Sequence, residues 1–184
     1  MSGVNRKITT EIPTAAVGIT GNTITLFVNE DFFQNKLKSA SSKVAVIKHE
    51  ILHLVFKHLF RTDLLRYDRL LFNIAADLVV NQYIGRWNLP ESAVTLKSFP
   101  DLDLESNQTV EYYYNRIKKL SSGSDEKQST NPESFKALNE ILKDESHSDH
   151  SLWGKTNSGD YNAAEITFGK LLIDAKNRSG HKGY

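Results

Sequence analysis

Five consecutive residues, His49-Glu50-Ile51-Leu52-His53, combine two imidazoles four positions apart with a carboxylate directly after the first. On a helix, residues i and i+4 stand one above the other, so both imidazoles can reach a single metal ion. Glu50 is turned about 100° around the helix axis from His49. From there its carboxylate can reach a water held by the metal without itself ligating. Zinc lowers the pKa of such a water toward about 7, and a carboxylate base completes its activation. The competing reading is a pair of partly exposed surface histidines. It fares worse because the flanking residues, from Val44 to Phe60, are largely apolar, and burying two histidines and a glutamate without partners is costly.

The composition narrows what can complete such a site. The chain has 184 residues, six histidines and no cysteine. That excludes a disulfide scaffold, a thiolate zinc site, an iron–sulfur centre and a cysteine nucleophile. A third ligand must therefore be a histidine or an oxygen. His58 is near in sequence, but nine residues after His49 it falls half a turn away on a continuing helix. Leu54-Val55-Phe56-Lys57 contains no breaker to bring it round. A surface position, or support behind a ligand, suits His58 better than ligation. The longer pattern HExxHxxGxxH would need glycine where Phe56 stands and histidine where Leu59 stands.

A second apolar stretch offers more. Between Leu70 and Ile84 the polar residues are Asn73, Asp77, Asn81 and Gln82. The first three are spaced i, i+4, i+8 and form one polar stripe on a helix. A buried aspartate in that stripe needs a partner, and a divalent cation is a strong one. Asp77 is the candidate third ligand; alternatively it accepts a hydrogen bond from a ligand histidine. Asn73 and Asn81 are candidates to support the site or line its cleft.

The elements that must position these residues follow from periodicity and punctuation. Two β-rich runs flank Gly21-Asn22 and predict a hairpin, with 23–28 as its stronger strand. Ser41 or Ser42 can cap a helix running to about Arg61, apolar on more than one face and so expected to be central and buried. A second helix is expected from about Asp68 to Ile84, ended by Gly85. A third, amphipathic, opens at Asn107 or Thr109 and runs to Leu120; its Tyr112-Tyr113-Tyr114 is read as packing, with one exposed ring. A short helix is expected from Glu133 to Lys143 after Asn131-Pro132, and a last one from Tyr161 to Asn177. The fold class is α+β in one domain spanning 1–184. Residues 121–150 carry seven acids and three lysines and are expected to be a flexible acidic segment.

Charge and hydropathy add exclusions. Lys+Arg is 23 against Asp+Glu 22, a formal net charge of +1, without the basic stripe of a nucleic-acid binder. No apolar run approaches the roughly 18 residues needed to span a bilayer. Met1 to Glu11 lacks the apolar core of a secretory signal. No nucleic-acid or membrane partner is expected, and the localisation expected is cytoplasmic.

With these residues in view, HEILHLVFKHLFR followed by FNIAADLVVNQYI resembles the metallopeptidase domain found N-terminal to von Willebrand factor A-like domains and associated with MoxR-type AAA ATPases. The similarity covers Thr25 to Pro90, with a weaker echo in Asp149-His150-Ser151-Leu152-Trp153, where members carry an acid-His-x-x-Trp element. The resemblance implies a zincin-like fold, with the active-site helix packed on a small antiparallel sheet and a strand bordering the cleft. It supports His49 and His53 as ligands, Glu50 as catalytic base and Asp77 as third ligand. The von Willebrand-like domain itself has no room within these residues, which implies a short stand-alone member or part of a longer chain.

The expected function is that of a zinc-dependent metallohydrolase, a peptidase acting on a peptide or protein. An extended substrate would be aligned by edge pairing along the strand around Leu26 to Asn29. The alternative is a non-catalytic interaction module with a structural or vestigial zinc site, acting with a partner such as an AAA ATPase or a von Willebrand factor A-like protein. His150 divides the two: it could stabilise an oxyanion or fill an open coordination position, or it could be an exposed loop histidine beside Trp153.

Overall fold

The computed structural model describes residues 4–21, 23–61, 66–122, 130–144 and 158–180. The expected α+β class is observed, as a small sheet covered by helices. Strands β1 (Val4–Ile8), β2 (Ala15–Thr20) and β3 (Thr23–Val28) lie in the order β1-β3-β2. The β2–β3 pair is the expected antiparallel hairpin, and Gly21 in its turn takes φ +56°, a conformation glycine adopts without strain. The sequence reading missed β1, which pairs parallel to β3, with Val4 opposite Ile24 and Ile8 opposite Val28. Its five residues are all exposed, so no apolar alternation marks it.

This topology corrects one expectation. The strand around Leu26 to Asn29 cannot offer an edge, because β3 is central and pairs on both sides. Among the described strands β1 and β2 are the outer ones, and β2 borders the cleft through Ala15. Its register places Ala16 opposite Phe27 and Gly18 opposite Thr25, and the Asn29 N–H donates to the Thr14 carbonyl at 2.8 Å. In an antiparallel ladder that alternation turns the backbone groups of Ala15, Val17 and Ile19 away from β3.

Helix α1 (Ala40–Val55) begins at Ser39, whose side chain accepts from the Ser42 N–H at 3.0 Å. It buries one face, Ala45, Val46, Glu50, His53 and Leu54, and leaves Val44, Ile51 and Val55 exposed; it is therefore less enclosed than its composition suggested. It also ends earlier than expected. Lys57 adopts a left-handed conformation (φ 58°, ψ 23°), and His58, Leu59 and Phe60 turn inward as a single 3-10 turn. A left-handed non-glycine residue costs about 1–2 kcal/mol. Burying each large apolar side chain contributes about 1.5–3 kcal/mol, and Leu59 and Phe60 are 0% and 6% exposed. Tertiary burial thus outweighs the missing breaker.

Helix α2 (Arg69–Val80) is capped by Asp68, whose carboxylate accepts from the Leu71 N–H at 3.1 Å. From Leu71 to Val80 every residue is buried except Asp77, which is half-buried. A 3-10 turn, Asn81–Tyr83, continues it to Gly85 at φ +72°. Helix α3 (Val110–Ser121) packs on α2 through Tyr113, Tyr114, Ile117 and Leu120. Its tyrosines do pack; Tyr112 is half-buried rather than exposed, and the Tyr113 hydroxyl donates to the Glu105 carbonyl at 2.8 Å. Helix α4 (Pro132–Lys143) occupies the centre of the acidic segment. Its N-terminus is capped from outside: Asp101 accepts from the Glu133 and Ser134 N–H groups, both at 3.1 Å. Helix α5 (Ser158–Gly180) buries Ala164 and Phe168, the latter against Phe60 with ring centroids 6.1 Å apart. Among the described residues, no helix is long and apolar enough to cross a membrane.

Arg61 ties the reversed segment after α1 to both following helices. Its guanidinium lies over the rings of Tyr67 and Phe72, at 5.3 and 5.4 Å, and bonds the Glu111 carboxylate at 2.5 Å. Burial alone would push the Glu111 carboxyl up, but the hydrogen bond and charge of Arg61 outweigh it and hold the group below the usual carboxylate value. A depressed folded-state pKa stabilises the fold above the unfolded value, and that contribution is lost as pH falls through the folded one. Glu111→Gln should therefore be less stable than wild type at neutral pH, with the difference shrinking as the medium is acidified. Urea unfolding followed from pH 7 into the acid range checks this; a constant gap would show that the pair does not carry the effect.

Candidate metal centre

Helices α1 and α2 bring three electron-rich atoms to one point. His49 Nε2 and His53 Nε2 are 3.0 Å apart. Asp77 Oδ1 lies 3.5 Å from the first and 3.3 Å from the second. The trio could hold a metal ion: one donor atom from each residue falls within 4.8 Å of the others. The i, i+4 spacing supplies two donors from a single face of α1, and Asp77 supplies the third from the polar stripe of α2.

The donor set suits a small divalent cation. At bond lengths of about 2.0–2.1 Å, tetrahedral coordination needs ligand atoms about 3.3 Å apart, close to the three separations observed. The second nitrogen of each histidine is also engaged. Asn81 donates its amide to the Val94 carbonyl at 2.7 Å, so its oxygen faces His49 Nδ1, also at 2.7 Å. That oxygen can only accept, which places the His49 proton on Nδ1 and the Nε2 lone pair toward the trio. His53 Nδ1 lies 3.0 Å from His58 Nδ1.

Glu50 stands beside the trio without joining it. It is 3% exposed, and its Oε2 accepts from the Val17 N–H of β2 at 3.0 Å. This bond links the helix to the outward edge of the sheet. Glu50, His49 and Asp77 line a cleft of about 270 Å³, walled by Ala15, Phe32, Lys36, Leu89 and Pro90 among others. The walls are mostly apolar, and Lys36 adds one positive charge.

Of the residues singled out by sequence, the structure brings together His49, Glu50, His53, Asp77 and Asn81. Asn73 is buried one turn earlier on α2 and does not line the cleft. His150, with His147, Trp153 and His181, lies outside the described residues. His58 does not join the donors, as expected, but it is not a surface residue either: at 3% exposure it sits directly behind His53. Sequence reasoning missed the edge of β2 and the Val94 carbonyl, because both act through backbone atoms that any residue type supplies.

A family model described as "Putative metallopeptidase domain" matches residues 14–164. The chain belongs to this family. The matched span takes in β2, β3, the first four helices and every residue of the candidate metal centre. No curated protein and no solved structure matches the chain. Membership in a metallopeptidase-domain family agrees with the donor trio that α1 and α2 bring together.

If the trio holds a cation, the intact metallopeptidase-domain protein should bind one divalent ion per chain. Asp77→Ala should weaken that binding by more than the roughly 10–100-fold that follows loss of a group behind a ligand. Metal analysis after dialysis against a defined zinc buffer measures both quantities. Undiminished binding in Asp77→Ala would remove Asp77 from the ligand set.

Proposed function

We propose that this protein is a zinc-dependent peptidase, with His49, His53 and Asp77 holding the ion and Glu50 acting as general base. The observation that carries the reading is the placement of a carboxylate in the same cleft as three convergent donors, yet outside them. Zinc is favoured over larger cations by two imidazoles and one carboxylate at near-tetrahedral spacing. Once bound, the ion would supply Lewis acidity, polarising a carbonyl and acidifying water.

The remaining work falls to the chain's own residues. Glu50 takes a proton from the attacking water and returns it to the leaving nitrogen. Its Oε2, held by the Val17 N–H, keeps the carboxylate aimed into the cleft instead of rotating toward solvent. Asn81 holds His49 in the tautomer that presents Nε2. The apolar walls supplied by Phe32, Val46 and Leu89 exclude water around the scissile bond.

Glu50→Gln tests the proposal because it keeps the shape and removes the base. The variant should retain its ion and lose about 10²–10⁴-fold in the rate of peptide cleavage, the usual contribution of a positioned general base. Cleavage is followed on a mixed peptide pool by mass spectrometry, alongside metal content. Equal cleavage by Glu50→Gln and wild type would sink the mechanism.

A further inference from the structure

His58 lies outside the donor trio and directly behind one member of it. Its Nδ1 is 3.0 Å from His53 Nδ1, and the two side chains are among the most enclosed polar groups described, His53 at 0% and His58 at 3% exposure. A hydrogen bond between two ring nitrogens requires a proton on one and a lone pair on the other. His53 turns its Nε2 toward His49 Nε2 and Asp77 Oδ1, at 3.0 and 3.3 Å. An imidazole that gives its Nε2 lone pair to a cation must carry its proton on Nδ1. That N–H then points at His58 Nδ1, which must accept and keep its own proton on Nε2.

The surroundings fix His58 for this geometry. The Phe56 ring stacks on it at 5.9 Å with an interplanar angle of 20°, and Phe72 meets it edge-on at 6.3 Å and 83°. The left-handed backbone at Lys57 is what turns the ring back onto α1. A leucine could fill the same volume without the cost of burying ring nitrogens. Its Nδ1 is the atom that meets His53.

We infer that His58 is a positioning residue that orients His53 and sets its tautomer for the cation. The inference rests on the proposed reading of His49, His53 and Asp77 as ligands. It gives both histidines of the pair the same device with different acceptors: the amide oxygen of Asn81 behind His49, and a neutral imidazole behind His53. Acceptors behind a ligand histidine fix its ring and raise its basicity, and their loss weakens metal binding by about 10–100-fold.

The test is Zn²⁺ affinity of the intact chain, measured by competition with a chromophoric chelator, for wild type, His58→Phe, His58→Leu, His58→Asn and Asp77→Ala. Thermal unfolding of the zinc-free proteins and the visible spectrum of Co²⁺-loaded samples are recorded alongside. His58→Phe keeps the ring and its stacking but offers no acceptor; His58→Leu is the smaller version should the phenylalanine not fold. Either should bind one Zn²⁺ about 10–100-fold more weakly, with a shifted Co²⁺ spectrum and zinc-free unfolding near that of wild type. His58→Asn, whose Oδ1 can take the place of Nδ1, should recover most of the affinity. Wild-type affinity in the acceptor-free variants overturns the inference and leaves the ligand assignment standing. Weak binding that His58→Asn fails to rescue also overturns it, because packing would then be the cause. If Asp77→Ala binds as wild type does, or wild type binds no Zn²⁺, the ligand assignment itself falls and takes the inference with it.

Discussion

Three Lewis-basic atoms held within 3.5 Å of one another repel unless a cation or protons lie among them, and the rest of the fold must hold them against that repulsion. Two come from one face of α1, so their spacing is intrinsic to a helix. The third comes from α2, and its distance depends on how the two helices are fixed. Much of the architecture can be understood as the means of fixing them. α2 is buried along its length from Leu71, with α3 packed against it, so Asp77 has no freedom to retreat. The Glu50–Val17 bond ties α1 to the sheet from the opposite side.

Behind the donors runs a set of polar contacts that sets proton positions. Asn81 is committed by the Val94 carbonyl to accept from His49. Lys48, on the same helix as His49, donates to the Ile84 carbonyl at 3.1 Å and so pins the end of the turn that carries Asn81. These bonds are few, partly or wholly buried and geometrically specific, which is the condition under which a polar network enforces a single arrangement.

The local elements were legible where sequence periodicity and tertiary demand agree. The hairpin at Gly21, the capped start of α2 at Asp68 and the helix after Asn131-Pro132 all appear near their expected positions. The failures share a cause. The early end of α1 depends on burial of Leu59 and Phe60, not on a helix-breaking residue. The strand β1 is recruited by β3 although its own side chains are all exposed. The cap on α4 is Asp101, more than thirty residues upstream, so no local signal announces it.

By itself the sequence determined the chemistry available to the site. The absence of cysteine and the HExxH spacing restrict it to imidazole and carboxylate donors, and the stripe Asn73-Asp77-Asn81 narrows the third donor to one helix face. Those are properties of residue type and of helix geometry, which need no partner to be true. Tertiary structure decided which member of the stripe meets the histidines, which strand edge borders the cleft and that His58 folds back onto His53. The first two depend on the relative placement of elements far apart in the chain, and the third on burial of the turn after α1; burial and backbone pairing carry no mark at the residues concerned.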